Sequence, residues 1–367
     1  MWYNVDINSH WGVFMKKSIK ILCCLLAICM VASFVLCLTA CNKSPIKNLI
    51  YIIGDGMGFN HVENAKLYME KDKLEIENYY VGQVTTHAAD NEVTDSAAAA
   101  TALATGVKTN IDFVGITPSG KKLTNIMELS KSRGKRTAIV TTDVLNGATP
   151  AGFSAHAESR DDATDIIKSQ ATGKVDLLIG KWSSAYAYSN KKHFDNNGFT
   201  YVESVDELKT LQSGKIVGNI QNVNSVYNPY FEDAVSLKTL VEYALDYLTK
   251  DNKKGFTLMV EGAYIDKYSH EQDLMQMIYA FMDLNDAIDY ILDWASERDD
   301  TAIIFTADHE TCGLQKAENK DALHDSLYTA DYHTSANVPL YLYNITTDVT
   351  LMDNTDVYKL ARQIVRN

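Results

Sequence analysis

A serine heads an alanine-rich run, Thr94-Asp95-Ser96-Ala97-Ala98-Ala99-Ala100. Alanine is the strongest helix former, and Asp or Ser makes a good N-cap. The run therefore predicts a helix with the Ser96 hydroxyl at its start. Unpaired N–H groups and the positive dipole end favour an anion there, and such a hydroxyl can become a nucleophile toward phosphate. A plain capped helix start is the alternative reading of the segment alone. Other stretches carry metal-ligand side chains. Asp266 and His270 stand four apart, which places them on one face of a helical turn. Carboxylate plus imidazole suits zinc or a similar ion. Asp308 and His309 are adjacent, and His333 precedes an apolar run at Val338. Taken singly, these read more readily as a surface pair, a helix start and a structural or surface histidine.

An open sheet would bring such groups together. Apolar β-like runs are predicted at 48–53, 81–86, 136–142, 175–179, 215–217, 256–261, 301–306 and 338–343. Helical patterns lie between them, at 60–69, from Ser96 onward, and at 123–133, 236–249, 272–295 and 357–365. This alternation predicts an α/β protein, a three-layer αβα sandwich around a central, mainly parallel sheet. Ligands bind such sheets beyond the carboxyl ends of the strands. Asp55, Glu261, Asp308 and His309 each fall at such an end, so three strands deliver them to one edge.

The chain has 367 residues and a net charge of −13. That balance argues against nucleic acid as a main partner, because phosphate backbones need Lys and Arg. A small phosphorylated substrate remains compatible, since bound cations can dominate the field within a cleft. Lys16, Lys17 and Lys20 precede an apolar stretch from Ile21 to Leu38, followed by Thr39-Ala40-Cys41. This pattern reads as an export signal with cleavage before Cys41 and lipid attached to its thiol, residues 1–14 being an upstream extension. A retained signal anchor is the alternative. Either way, the folded part is expected outside the cytoplasm. The expected divisions are a signal segment at 1–40, a lipid-anchored tether at 41–47 and one catalytic domain at 48–367. Of six cysteines only Cys41 and Cys312 would outlast cleavage, so no internal disulfide is expected once Cys41 is acylated.

Seven pieces in order resemble the metal-dependent alkaline phosphatases: Asp55–Gly58, Thr94–Ala97, Ala104–Thr109, Ala148–Ala151 leading to Ser159-Arg160, Val260–His270, Thr306–His309 and His333-Thr334. The resemblance spans roughly residues 48–345. It implies hydrolysis of phosphate monoesters through a phosphoserine on Ser96, with two zinc ions and one magnesium. Asp266, His270 and His333 would hold the first zinc. Asp55, Ser96, Asp308 and His309 would surround the second. Asp55, Thr149 and Glu261 would bind magnesium. Arg160 would grip phosphate with two parallel hydrogen bonds, oriented by Asp95, and Lys267 would add a charge. An ion pair of Arg160 with Asp161 or Asp162 is the plainer alternative. Implied partners are phosphorylated small molecules, a membrane through the N-terminal anchor, and a second copy in a homodimer. Competing functions are a related phosphodiesterase and a non-catalytic metal- or phosphate-binding lipoprotein.

The resemblance breaks at one position. Relatives often carry an acidic residue or histidine two places before the Thr149 equivalent, where this chain has Gly147. Lys267 is therefore expected to be less neutralised, with altered magnesium affinity and product release. The short polar stretch between Cys312 and Tyr332 marks a compact version of the fold, which makes dimerisation less expected.

Overall fold

The computed structural model describes residues 45–182 and 191–366. The export segment and Cys41 lie outside them. From Ile46 onward the chain forms one compact unit. Its strands are β1 Asn48–Gly54, β2 Tyr80–Thr85, β3 Arg136–Val144, β4 Leu177–Lys181, β5 Phe199–Val202, β6 Lys215–Asn219, β7 Phe256–Gly262, β8 Thr301–Thr306, β9 Glu310–Thr311, β10 His333–Thr334, β11 Val338–Tyr343 and β12 Leu351–Asp353. Ten of them form one sheet in the order β12-β2-β11-β8-β1-β7-β3-β4-β6-β5, and β9 and β10 form a small antiparallel pair. β11 is antiparallel to both of its neighbours, β8 and β2. The other pairings in the large sheet are parallel.

The helices are α1 Phe59–Tyr68, α2 Ser96–Thr105, α3 Ile126–Ser132, α4 Ala148–Ser154, α5 Ala163–Gln170, α6 Val205–Thr210, α7 Leu237–Thr249, α8 Tyr264–His270, α9 Leu274–Ser296 and α10 Asn354–Arg366. β1, β7 and β8 are buried along their whole length. Continuous apolar runs such as Leu49-Ile50-Tyr51-Ile52-Ile53 fit a parallel sheet covered on both faces. No described helix is long and apolar enough to cross a membrane.

Register decides what meets at the carboxyl edge. Ile53 of β1 pairs with Glu261 of β7 on one side and Thr306 of β8 on the other. Thr141 of β3 also pairs with Glu261. Asp55, Glu261 and Asp308 thus leave the sheet at nearly the same level.

α2 forms where the sequence predicts it. The Asp95 carboxylate accepts a 3.0 Å hydrogen bond from the Ala98 amide, which caps the helix start. Every residue of α2 is buried. Its alanines serve packing as well as propensity, because a Cβ on Gly152 of α4 would lie 2.7 Å from the Ala100 Cβ. The backbones of α2 and α4 meet at that point.

Candidate active site

Two clusters that could each hold a metal ion stand at the carboxyl edge. Asp266 and His270 of α8 meet His333 of β10, and Asp55, Asp308 and His309 meet beyond β1 and β8. In the first cluster the Nε2 atoms of His270 and His333 approach to 3.0 Å, and they lie 3.4 and 3.5 Å from Asp266 Oδ1. His333 Nδ1 lies 2.9 Å from the Thr94 carbonyl. A donated Nδ1–H fixes the tautomer and leaves Nε2 as the free ligand atom. In the second cluster His309 Nε2 lies 3.3 Å from Asp308 Oδ2 and 3.5 Å from Asp55 Oδ1. The Ser96 hydroxyl oxygen sits 3.1 Å from the same His309 nitrogen, so the head of α2 abuts this cluster.

Asp55 follows the last residue of β1, and the turn after it demands glycine. Gly56 has φ +72, and a Cβ there would come within 2.8 Å of the Asp266 Cβ. Only a residue without Cβ suits both the left-handed backbone and that close approach. The Gly56 amide also donates to Asp308 Oδ1 at 3.0 Å, tying the two strand ends together.

Charge at this edge is crowded with one sign. Burial, then Asp308, Asp266 and Glu261, push the Asp55 carboxyl well above its ordinary range. Burial, then Asp143, push Glu261 up to about 8, against the hydrogen bond from Thr141. Asp308 rises to about 6, chiefly through burial. Burial pushes the Asp266 carboxyl up, but His333, His309 and His270 outweigh it and hold the group below the usual carboxylate range. Burial, then His333, drive His309 toward the neutral imidazole. Buried carboxylates this close cannot all ionise without a compensating cation.

Unpartnered atoms point the same way. Asp55 Oδ1, Asp308 Oδ2, Glu261 Oε1 and Thr149 Oγ1 are buried without a hydrogen-bond partner among the described residues. Buried polar atoms are ordinarily satisfied. Hard oxygen donors plus imidazole form a set that suits divalent cations, so the residues fit the metals that the sequence implies. Thr149 lies in the first turn of α4 and Glu261 near the end of β7.

Arg160 and Lys267 are the cations of the site. Arg160 Nη1 donates to Asp95 Oδ2 at 3.0 Å, with Asp95 2% and Arg160 32% exposed at the side chain. Asp95 therefore caps α2 with one oxygen and holds Arg160 with the other. The expectation that Lys267 is less neutralised is overturned. Its ammonium is ion-paired with Asp143 at the end of β3. A Cβ on residue 147 would lie 2.7 Å from Asp143 Oδ2, so the missing side chain at Gly147 leaves room for the Asp143 carboxylate. Asp143 was legible by the rule that found Asp55 and Glu261, since it lies one residue beyond the predicted strand at 136–142. Tyr332, whose ring stacks on His333 at 4.2 Å, had no such signal.

A model of the family described as "Alkaline phosphatase" matches residues 46–181 and 182–366. The chain belongs to the alkaline phosphatase family. Alkaline phosphatase 4 of Bacillus subtilis is 34% identical over 298 residues, covering 76% of this chain and 64% of that protein. The alkaline phosphatase of Escherichia coli is 29% identical over 338 residues, covering 73% of this chain and 71% of that protein. This chain thus spans 64% and 63% of the two Bacillus subtilis alkaline phosphatases it matches. The alkaline phosphatase from the Antarctic bacterium TAB5 shares the fold, with a TM-score of 0.78 at 23% identity over 88% of this chain and 99% of that one. Within the alkaline phosphatase fold, the carboxyl edge of the sheet is where this chain gathers its acidic, imidazole and cationic side chains.

Proposed function

We propose that this alkaline phosphatase family member hydrolyses phosphate monoesters to an alcohol and inorganic phosphate through a phosphoserine on Ser96. The observation that carries the reading is the Ser96 hydroxyl, buried at the start of α2 and 3.1 Å from His309 Nε2 in the second metal-ligand cluster. Asp266, His270 and His333 would hold one zinc, Asp55, Ser96, Asp308 and His309 another, and Asp55, Thr149 and Glu261 a magnesium ion. Bound there, the ions would neutralise charge on the attacking and departing oxygens of an in-line displacement.

The chain's own groups do the rest. The Ser96 hydroxyl gives up its proton to solvent and its oxygen attacks phosphorus, forming an O–P bond as the ester O–P bond breaks, and the leaving oxygen takes a proton back from solvent and departs as the alcohol. Water then attacks phosphorus from the vacated side, breaks the Ser96–phosphorus bond, releases inorganic phosphate and returns the hydroxyl. His309 beside Ser96 is driven toward the neutral form, which leaves its Nε2 lone pair available. Arg160, fixed by Asp95, offers its remaining N–H groups to the phosphate oxygens. Lys267, fixed by Asp143, adds positive charge from the β3 side. Export and lipid attachment at Cys41 are part of the same proposal, supported by the sequence pattern alone.

The test compares a nitrophenyl phosphate monoester with the corresponding diester on metal-loaded protein. Monoester turnover is expected to dominate, to vanish with a chelator, and to fall by several orders of magnitude in Ser96→Ala. Turnover that survives in Ser96→Ala refutes the phosphoserine, and preferential cleavage of the diester refutes the substrate class.

A further inference from the structure

Three aromatic rings form a pile at the mouth of the site. His309 and His333 stack at 3.5 Å between centroids and 20° between planes, and Tyr332 stacks on His333 at 4.2 Å and 12°. His270 flanks the outermost ring at 5.4 Å. The two inner rings are buried, whereas Tyr332 is 54% exposed. A large aromatic residue normally gains from burial, yet this one turns a surface to solvent directly above two metal-ligand histidines.

Its position relates it to the reaction. Burial raises the Tyr332 hydroxyl pKa, and the charges of Arg160 and Asp95 both reach it, so the ring stands on the same side of the site as that pair. In an in-line displacement the leaving group departs opposite the attacking oxygen. Ser96 stands against His309 of the second cluster, so the departing side faces the first cluster, Asp266, His270 and His333. Tyr332 is the exposed ring packed on both histidines of that cluster.

We propose that the exposed face of Tyr332 is a stacking platform for the leaving group, selecting phosphate monoesters of aryl or nucleobase-bearing alcohols over aliphatic ones. The proposal rests on the phosphomonoesterase reading above. His333 backs the inner face of the ring and holds its plane, so little side-chain freedom is lost when a flat group settles on the outer face. Offset stacking then adds attraction for an aromatic leaving group that an alkyl group does not receive.

The experiment titrates metal-loaded protein with phenylphosphonate and methylphosphonate, which cannot be hydrolysed, and compares the native chain with Tyr332→Ala and Tyr332→Phe. The preference for phenylphosphonate is expected to fall about fivefold in Tyr332→Ala and to persist in Tyr332→Phe. An unchanged preference in Tyr332→Ala overturns the proposal, even where both affinities drop together through a disturbed His333. Hydrolysis of phenyl phosphate by the native chain is measured in parallel. Phosphonate selectivity without that turnover would sink the phosphatase reading and leave the platform standing.

Discussion

The Lys267 ammonium is ion-paired with the Asp143 carboxylate, which occupies space that a side chain on residue 147 would need. The acid sits at the end of β3, and Gly147, the residue that caps the start of α4, leaves an empty place beside it. A Cβ there would also lie 2.9 Å from the Val144 carbonyl oxygen, which is backbone and cannot rotate away.

Gly147→Asp in the native background is therefore expected to hurt. It crowds Asp143 and sets two carboxylates against one lysine, so both melting temperature and kcat/KM should fall. The double variant Asp143→Ala with Gly147→Asp should recover part of the activity, because one acid again faces Lys267 while the crowding against the Val144 carbonyl remains. Additive losses in this double-mutant cycle would show that the two positions do not share one space.

Thr149 gives a prediction with two opposite signs. Its hydroxyl is buried without a partner among the described residues, which costs about 1–3 kcal/mol. Thr149→Val removes the hydroxyl at nearly constant shape. Metal-free Thr149→Val should melt higher than the metal-free native chain, yet bind magnesium more weakly by calorimetry. If the valine variant melts lower in the absence of metal, the hydroxyl has a partner in solution and the site is built differently.

Asp283 on α9 supplies the pH dependence. Burial raises its carboxyl to about 7, against the amide hydrogen bond from Leu237. A carboxyl raised on folding stabilises fully below its unfolded value, and that contribution is lost as pH climbs through the folded value. The window runs from about 4 to about 7. Asp283→Asn keeps an oxygen for the Leu237 amide and does not ionise. Melting curves should show the variant gaining on the native chain between pH 5 and pH 8. A difference that does not move with pH would mean that Asp283 stays near its ordinary value.

Much of this was legible in the sequence because the fold places chemistry by a simple rule. Apolar strands ending in Asp55, Glu261 and Asp308 declare a shared edge once the sheet is known to be parallel. The Ser96 helix declared itself through its cap and its alanines. What stayed hidden depends on distant partners. The Asp143–Lys267 pair spans 124 positions, and no local pattern announces it. α4 carries Pro150 and Gly152, both poor helix formers in an interior, and it exists because the Gly152 backbone packs against Ala100. β5 and β12, at the two sheet margins, have only four and three residues, too few for a period to show.

That contact between Gly152 and Ala100 has a mechanical consequence. α2 begins with Ser96 and α4 carries Thr149 in its first turn, so both groups ride on one locked block. Displacement of the outer loops leaves the spacing between Ser96 and the Thr149 oxygen unaltered. Thermal motion is thus divided between a stiff floor of packed helices and the looser loops around it. A bulkier side chain at 152 would wedge the block apart and blur that division before it unfolded the chain.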